Sequence, residues 1–206
     1  AMTGDGVNDA PSIKKADIGV GMGITGTDVT KGVADMVLAD DNFATIIGAV
    51  EEGRRIYDNI RKAIQFLLSS NLAEVISVFV ASLVGFTILE PTHLLWINLI
   101  TDSLPALAMC MESAEPDIMR RKPRNSKDGI FANGMGLDTL VQGVVISVLT
   151  LVSYFIGVRY AEAGAEPALV GMTMAFLTLS MVEMFHSLNM RSRRGSIFKL
   201  PTQRGG

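Results

Sequence analysis

The chain is poor in cysteine, in charge and in any strong bias of charge. Its 206 residues hold one cysteine, Cys110, so no intrachain disulfide can form and nothing points to an oxidising compartment. Charged residues make up 19%, below the roughly 25% of an ordinary soluble domain. A net charge of -3 is too small to argue for a nucleic-acid partner, and none is expected. The N-terminus lacks a basic stretch followed by an apolar one, so any insertion signal is internal. No repeat or low-complexity tract is visible. What the chain does have is apolar bulk: 49% hydrophobic residues and a positive mean hydropathy. These values describe a membrane protein of one or two domains.

Residues 1–42 nevertheless read as soluble. Ala16 to Gly23 and Met36 to Ala39 are short apolar runs, taken as strands, and Asp28 to Ala34 between them reads as a short helix. That alternation favours an α/β layer. Two such strands are too few to close a sheet, so more of this domain is expected upstream. Asn42 is a plausible N-cap for a long helix from about Phe43. The helix is amphipathic at first and almost wholly apolar over 64–86, enough to cross a bilayer. It would run over about 60 Å and is a candidate lever between the two regions. Three further spans are expected at 91–111, 137–158 and 169–188.

Basic residues set the sidedness. Arg54, Arg55, Arg61 and Lys62 precede the first span. Arg120, Arg121, Lys122, Arg124 and Lys127 lie between the second and third, and Arg191, Arg193, Arg194 and Lys199 follow the fourth. The other two connections hold Glu90, Glu162 and Glu166, with only Arg159 basic. Both ends of the chain and its middle loop are therefore expected in the cytoplasm. The domain division that follows is 1–42 soluble, 43–63 a stalk helix, 64–190 the membrane domain and 191–206 a tail.

The most specific stretch is Thr3-Gly4-Asp5-Gly6-Val7-Asn8-Asp9-Ala10-Pro11. Two carboxylates and an amide on a glycine-bracketed turn can hold a divalent cation beside a phosphoryl group. Asp5 can coordinate magnesium, and Asn8 and Asp9 can bind phosphate or orient Asp5. Gly4 and Gly6 allow close approach and unusual dihedrals. An ordinary Asp/Gly turn is the plainer alternative.

Ionisable groups inside spans are costly and by default functional. Asn71 and Glu74, three residues apart, share a helix face. Asn98, Thr101 and Asp102 share another, and Glu183 lies in the last span. Pro105 has no N–H for the Thr101 carbonyl, so the backbone is expected to be open where these ligands cluster. The set is all oxygen, which suits calcium or magnesium, and no Cys or His pair has zinc or copper spacing. Asn71 or Thr101 alone could be interhelical hydrogen-bond partners, and Glu183 could sit solvated near the boundary. His93 and His186 read as interfacial residues rather than ligands, and Trp96 as packing or interfacial.

Thr3–Pro11 resembles the hinge motif of P-type cation ATPases, within their haloacid-dehalogenase-like phosphorylation domain. The resemblance extends through Met36–Phe43, Ser70–Glu74, Leu94–Ala106 and Pro116–Met119. It is most similar to calcium pumps of the sarcoplasmic-reticulum type, in bacterial form. It implies a mostly α fold: a transmembrane helix bundle of four spans, preceded by the C-terminal part of an α/β phosphorylation domain. It further implies that Asp5 helps hold Mg2+ where an upstream Asp is phosphorylated by ATP, with Asn8 and Asp9 in support. Asn71, Glu74, Asn98, Thr101, Asp102 and Glu183 fall on positions that ligand the transported Ca2+. The phosphorylated Asp, the nucleotide site and several membrane helices are not in the chain. It would be a C-terminal fragment, inactive alone, of an integral protein of a bacterial plasma membrane. Its partners would be the lipid bilayer, the cation and the pump's missing N-terminal parts. A sodium or proton-coupled pump, or a passive cation channel or carrier, are the alternatives.

Overall fold

The computed structural model describes residues 1–125, 128–132 and 134–191. Lys127, Arg193, Arg194 and Lys199, read above as sidedness signals, and the tail beyond 191 lie outside the described residues. The chain divides into two compact units, Ala1–Arg55 and Ile56–Gly206.

The first unit is a small α/β layer. Three strands, β1 (Met2–Gly4), β2 (Gly19–Met22) and β3 (Met36–Leu38), form a parallel sheet in the order β1-β2-β3. Parallel neighbours require crossovers, and two short helices supply them: α1 (Ala10–Lys15) and α2 (Asp28–Val33). Pro11 suits the first turn of α1, where its missing N–H costs nothing. The Thr27 hydroxyl caps α2 by accepting from the Thr30 N–H. Val20, Met22 and Leu38 are buried against half-buried Met36 and Ile46. The expected strands are thus present, and Met2–Gly4, which runs into the first residues of the motif, is a third.

A 41-residue helix, α3 (Ala44–Val84), follows. The Asn42 side chain accepts from the Ala44 N–H at 2.9 Å, which supports the predicted cap. The second unit contains most of α3 and then α4 (Pro91–Trp96), a π-helical segment Ile97–Asp102, α5 (Ser103–Cys110), α6 (Met135–Arg159) and α7 (Pro167–Met190). Helices long and apolar enough to cross a membrane occur at all four expected places: Ala44–Val84, Pro91–Cys110, Met135–Arg159 and Pro167–Met190.

Packing here inverts the soluble pattern. Phe79, Leu83, Leu107, Val148 and Phe155 are exposed, while Asn59, Lys62, Gln65, Ser69, Ser70, Glu74 and Ser77 on α3 are buried. Apart from the adjacent Ser69 and Ser70, they are spaced by three to four residues and make one polar stripe along α3. A bilayer gives apolar side chains no reason to hide, so the interior is free for polar contacts and small residues. The Ser77 and Ser147 hydroxyls meet at 3.1 Å, linking α3 to α6. Helices α6 and α7 approach backbone to backbone: a Cβ on Gly157 would lie 2.8 Å from the Gly171 Cα. Only glycine permits that crossing.

The π-helical turn corrects one expectation. The backbone near Pro105 is not open; it stays wound through Ile97–Asp102 in a wider helix. Pro105 removes one donor, and the widened turn accommodates the register, with the Ser103 hydroxyl donating to the Asn98 carbonyl at 2.8 Å.

Candidate functional site

The first cluster stands at the carboxyl ends of the three parallel strands, where open α/β sheets bind ligands. Asp5 directly follows β1 and is exposed. Among the described residues its carboxylate accepts no hydrogen bond. Asp9 turns back instead: its Oδ2 accepts from the Gly6 N–H at 3.0 Å and the Asp5 N–H at 3.3 Å. These bonds close the turn over which Asp5 stands. Asn8 is exposed beside it. Gly4 is sterically required, since a Cβ there would lie 2.6 Å from the Asp9 Cβ. Gly6 does not need glycine's freedom: its φ of -94° is ordinary extended backbone, which corrects the expectation of unusual dihedrals.

Two supports escaped the sequence reading. Thr30, fully buried on α2, donates to the Gly6 carbonyl at 3.0 Å and lies 3.3 Å from that of Asp5. The Thr27 N–H donates to the same Asp5 carbonyl at 2.9 Å. The Thr27-x-x-Thr30 spacing was the available signal. The second support is Asp41, at φ 49°, after β3. Its carboxylate accepts from the Ile24 N–H at 2.9 Å, and from the Thr25 N–H at 2.7 Å and hydroxyl at 2.8 Å. These bonds, the Ile24 amide first, lower its pKa from 3.8 to about 2. A lone exposed carboxylate on a braced turn fits magnesium, which keeps several waters and takes one or two carboxylates plus phosphate oxygens.

The second cluster lies within the second unit, where α3, the π-helical segment and α7 meet. Glu183 is 0% exposed, so it is not a solvated boundary residue. The Ser70 hydroxyl lies 3.0 Å from Asp102 Oδ1 and is also hydrogen-bonded to Glu183 Oε1. One hydroxyl hydrogen serves one carboxyl at a time, so the other approach is completed by a carboxyl hydrogen or a shared cation. Asp102 Oδ2 and Glu183 Oε2 are buried without a partner among the described residues. One turn along, Asn98 Nδ2 donates to Glu74 Oε2 at 3.0 Å and Oε1 at 3.2 Å. The pairs Ser70–Asp102 and Glu74–Asn98 step by four residues on both sides, an antiparallel ladder of two rungs.

Not every expected residue joins. Asn71 is exposed, and its amide donates to the Leu67 carbonyl of its own helix at 2.7 Å. Three residues leave it about 60° around α3 from Glu74, enough to separate rim from interior. Thr101 is half-buried at the edge. Among the described residues no group of three His, Cys, Asp or Glu side chains converges as a metal site. His186 is buried rather than interfacial: its Nε2 is 3.0 Å from the Ser69 hydroxyl and its ring 5.8 Å from that of Phe66. His93 stacks on Phe176 at 4.9 Å.

A third group, missed in the sequence, ties α3 to the loop 112–121 and the end of α7. Lys62 is 2% exposed. Its Nζ donates to the Arg191 carbonyl at 2.8 Å and pairs with Glu115 at 3.2 Å. Arg121 pairs with Asp58, Glu115 and Asp117, contacts that raise its pKa above the ordinary value, the Asp117 bond most. Arg191 reaches Glu112 at 2.6 Å, and the Asn59 amide donates to the Glu112 carbonyl at 2.7 Å.

Comparison with known proteins gives a consistent result. The chain is 51% identical over 213 residues to calcium-transporting ATPase 1 of Bacillus cereus, covering 97% of this chain and 24% of that protein. It is 47% identical over 204 residues to the calcium-transporting ATPase of Bacillus subtilis, covering 98% and 23%. It is 40% identical over 226 residues to the endoplasmic reticulum-type calcium-transporting ATPase 3 of Arabidopsis thaliana, covering 96% and 22%. The chain thus spans about a quarter of the length of these relatives. Residues 86–205 match the model of the family described as cation transporting ATPase, C-terminus. By that match, over more than half of its length, the chain belongs to the cation-transporting ATPase C-terminus family.

Proposed function

We propose that this chain is the C-terminal part of an ATP-driven pump that exports calcium through a phosphoenzyme cycle. The observation that carries it is the buried meeting of Asp102, Glu183 and Ser70 beside Glu74 and Asn98, within helices fit to span a bilayer. Unpaired buried carboxyl oxygens are tolerated where a cation will neutralise them. Glu74, Asn98, Thr101, Asp102 and Glu183 are the oxygen ligands; Asn71, exposed and bonded to its own helix, would have to turn its amide inward to join them. A donor set of carboxylate, amide and hydroxyl oxygens favours a hard divalent ion. The names of the relatives support calcium.

Residues 1–42 would then end a haloacid-dehalogenase-like phosphorylation domain, 43–63 form a stalk, 64–190 the membrane domain and 191–206 a tail, with both ends cytoplasmic. In that domain Asp5 would hold magnesium, which offsets phosphate charge at the phosphorylated centre. Asp9 keeps the turn closed by accepting from the Asp5 and Gly6 N–H groups, and Asn8 faces outward where a phosphate oxygen can be bound. ATP and the phosphorylated Asp come from upstream parts of the pump. The test is Asp102→Asn in the full-length protein: calcium-dependent phosphorylation from ATP should be lost. Wild-type phosphoenzyme in that variant would sink the assignment.

A further inference from the structure

Ser70 is a small neutral residue inside an apolar run, and neither its type nor its spacing marks it as part of a site. Its surroundings do. It is 0% exposed, and its one oxygen touches carboxyls from two different elements, Asp102 on the π-helical segment and Glu183 on α7. The second oxygens of those carboxyls are buried and without partners among the described residues. A hydroxyl bound to both can sit in one place only, so α3 dictates how far apart the two carboxyls stand.

We infer that Ser70 is a positioning residue of the cation site, its hydroxyl holding the Asp102 and Glu183 carboxyls at a separation one cation can span. Calcium–oxygen bonds of about 2.3–2.6 Å place two ligand oxygens up to about 5 Å apart across the ion. Two hydrogen bonds through one hydroxyl impose a similar limit. The neighbouring rung, Glu74 with Asn98, holds the same pair of helices in register one turn away. Serine is small enough to let the three helices close, and polar enough to be a partner for both acids.

This inference rests on the reading of the cluster as a site for transported calcium. The test uses the full-length pump and follows phosphorylation from ATP against free calcium. Ser70→Ala, and Ser70→Cys as a volume-keeping poor donor, should each raise half-saturating calcium about tenfold. The maximal phosphoenzyme level per folded protein should stay within about twofold of wild type. Ser70→Thr keeps the hydroxyl and should restore near-wild-type half-saturation. A purely structural residue would lower the amount of folded protein in the variants without moving half-saturation. If Ser70→Ala does not reach the membrane, the Cys and Thr variants read the same split. Unchanged half-saturation in the Cys variant, or a Thr variant as weak as the Cys one, overturns the role. Asp102→Asn separates the failures. If it is inactive while the Ser70 variants are unshifted, only the Ser70 role falls; if it is fully phosphorylated, the calcium reading itself falls.

Discussion

The pair Lys62–Glu115 allows a prediction with an internal direction. Both side chains are nearly buried, 3% and 10% exposed, yet their other contacts are unequal. In Glu115→Met, Lys62 keeps only the Arg191 carbonyl at 2.8 Å and becomes a buried ammonium without a counter-charge. Breaking such a pair from one side costs about 3 kcal/mol. Arg121 is little affected, because Asp58 and Asp117 still face it. In Lys62→Met the surviving Glu115 still pairs with Arg121, and the loss is mainly one hydrogen bond to a carbonyl, about 1 kcal/mol. For a unit of this size 1 kcal/mol shifts Tm by about 2–4 °C, so the expected losses are roughly 6–12 °C for Glu115→Met and 2–4 °C for Lys62→Met. Stepwise heating in detergent, followed by size-exclusion chromatography of what stays monodisperse, measures both. Equal losses, or a larger one for Lys62→Met, would refute the reasoning.

Two further outcomes follow from the geometry. Asp41 has a depressed pKa, so its contribution is complete above the ordinary value of 3.8 and is lost as pH falls toward about 2. Hydrogen exchange at the Ile24 and Thr25 amides should accelerate over that window beyond its intrinsic pH trend, and Asp41→Asn should abolish the excess. At the α6–α7 crossing, Gly157→Val should cost about 2–3 kcal/mol, because the added carbons meet the Gly171 backbone. Gly143→Val should cost less, since the nearest atoms it meets belong to the Leu72 side chain rather than to backbone; the same heating assay ranks the two.

How much of this was legible in the sequence depended on cost. A carboxylate in an apolar run is expensive anywhere but a site, so Glu74, Asp102 and Glu183 announced themselves. Ser70 and Ser69 did not, because a serine in a membrane helix is cheap and its partners, Glu183 and His186, lie more than 100 residues away. Lys62 stood in a basic stretch that reads as a sidedness signal, and only the fold shows it turned inward against Glu115. The long apolar stretches fixed the helices, whereas Pro105 signalled a disturbance without revealing its form. Whether the backbone opens or widens depends on neighbours such as Ser103, whose hydroxyl occupies the Asn98 carbonyl. Asn71 passed for a partner of Glu74 because a spacing of three is only approximately one face.

The widened turn at Ile97–Asp102 has a consequence for how this region tolerates length. A π-helical turn holds one residue more than the α-helical turn it replaces. A chain shortened by one residue between Trp96 and Asp102 could wind this stretch as plain α-helix. The lost residue and the tighter winding nearly cancel, so with α4 held in place Asp102 and α5 would keep their facing. The Asp102 carboxyl would stay beside Ser70, now 3.0 Å away. The same deletion in a stretch already α-helical would turn everything after it by about 100°. The wide turn thus makes Leu99 and Ile100 a place where the loss of one residue is absorbed and the alignment of the site survives.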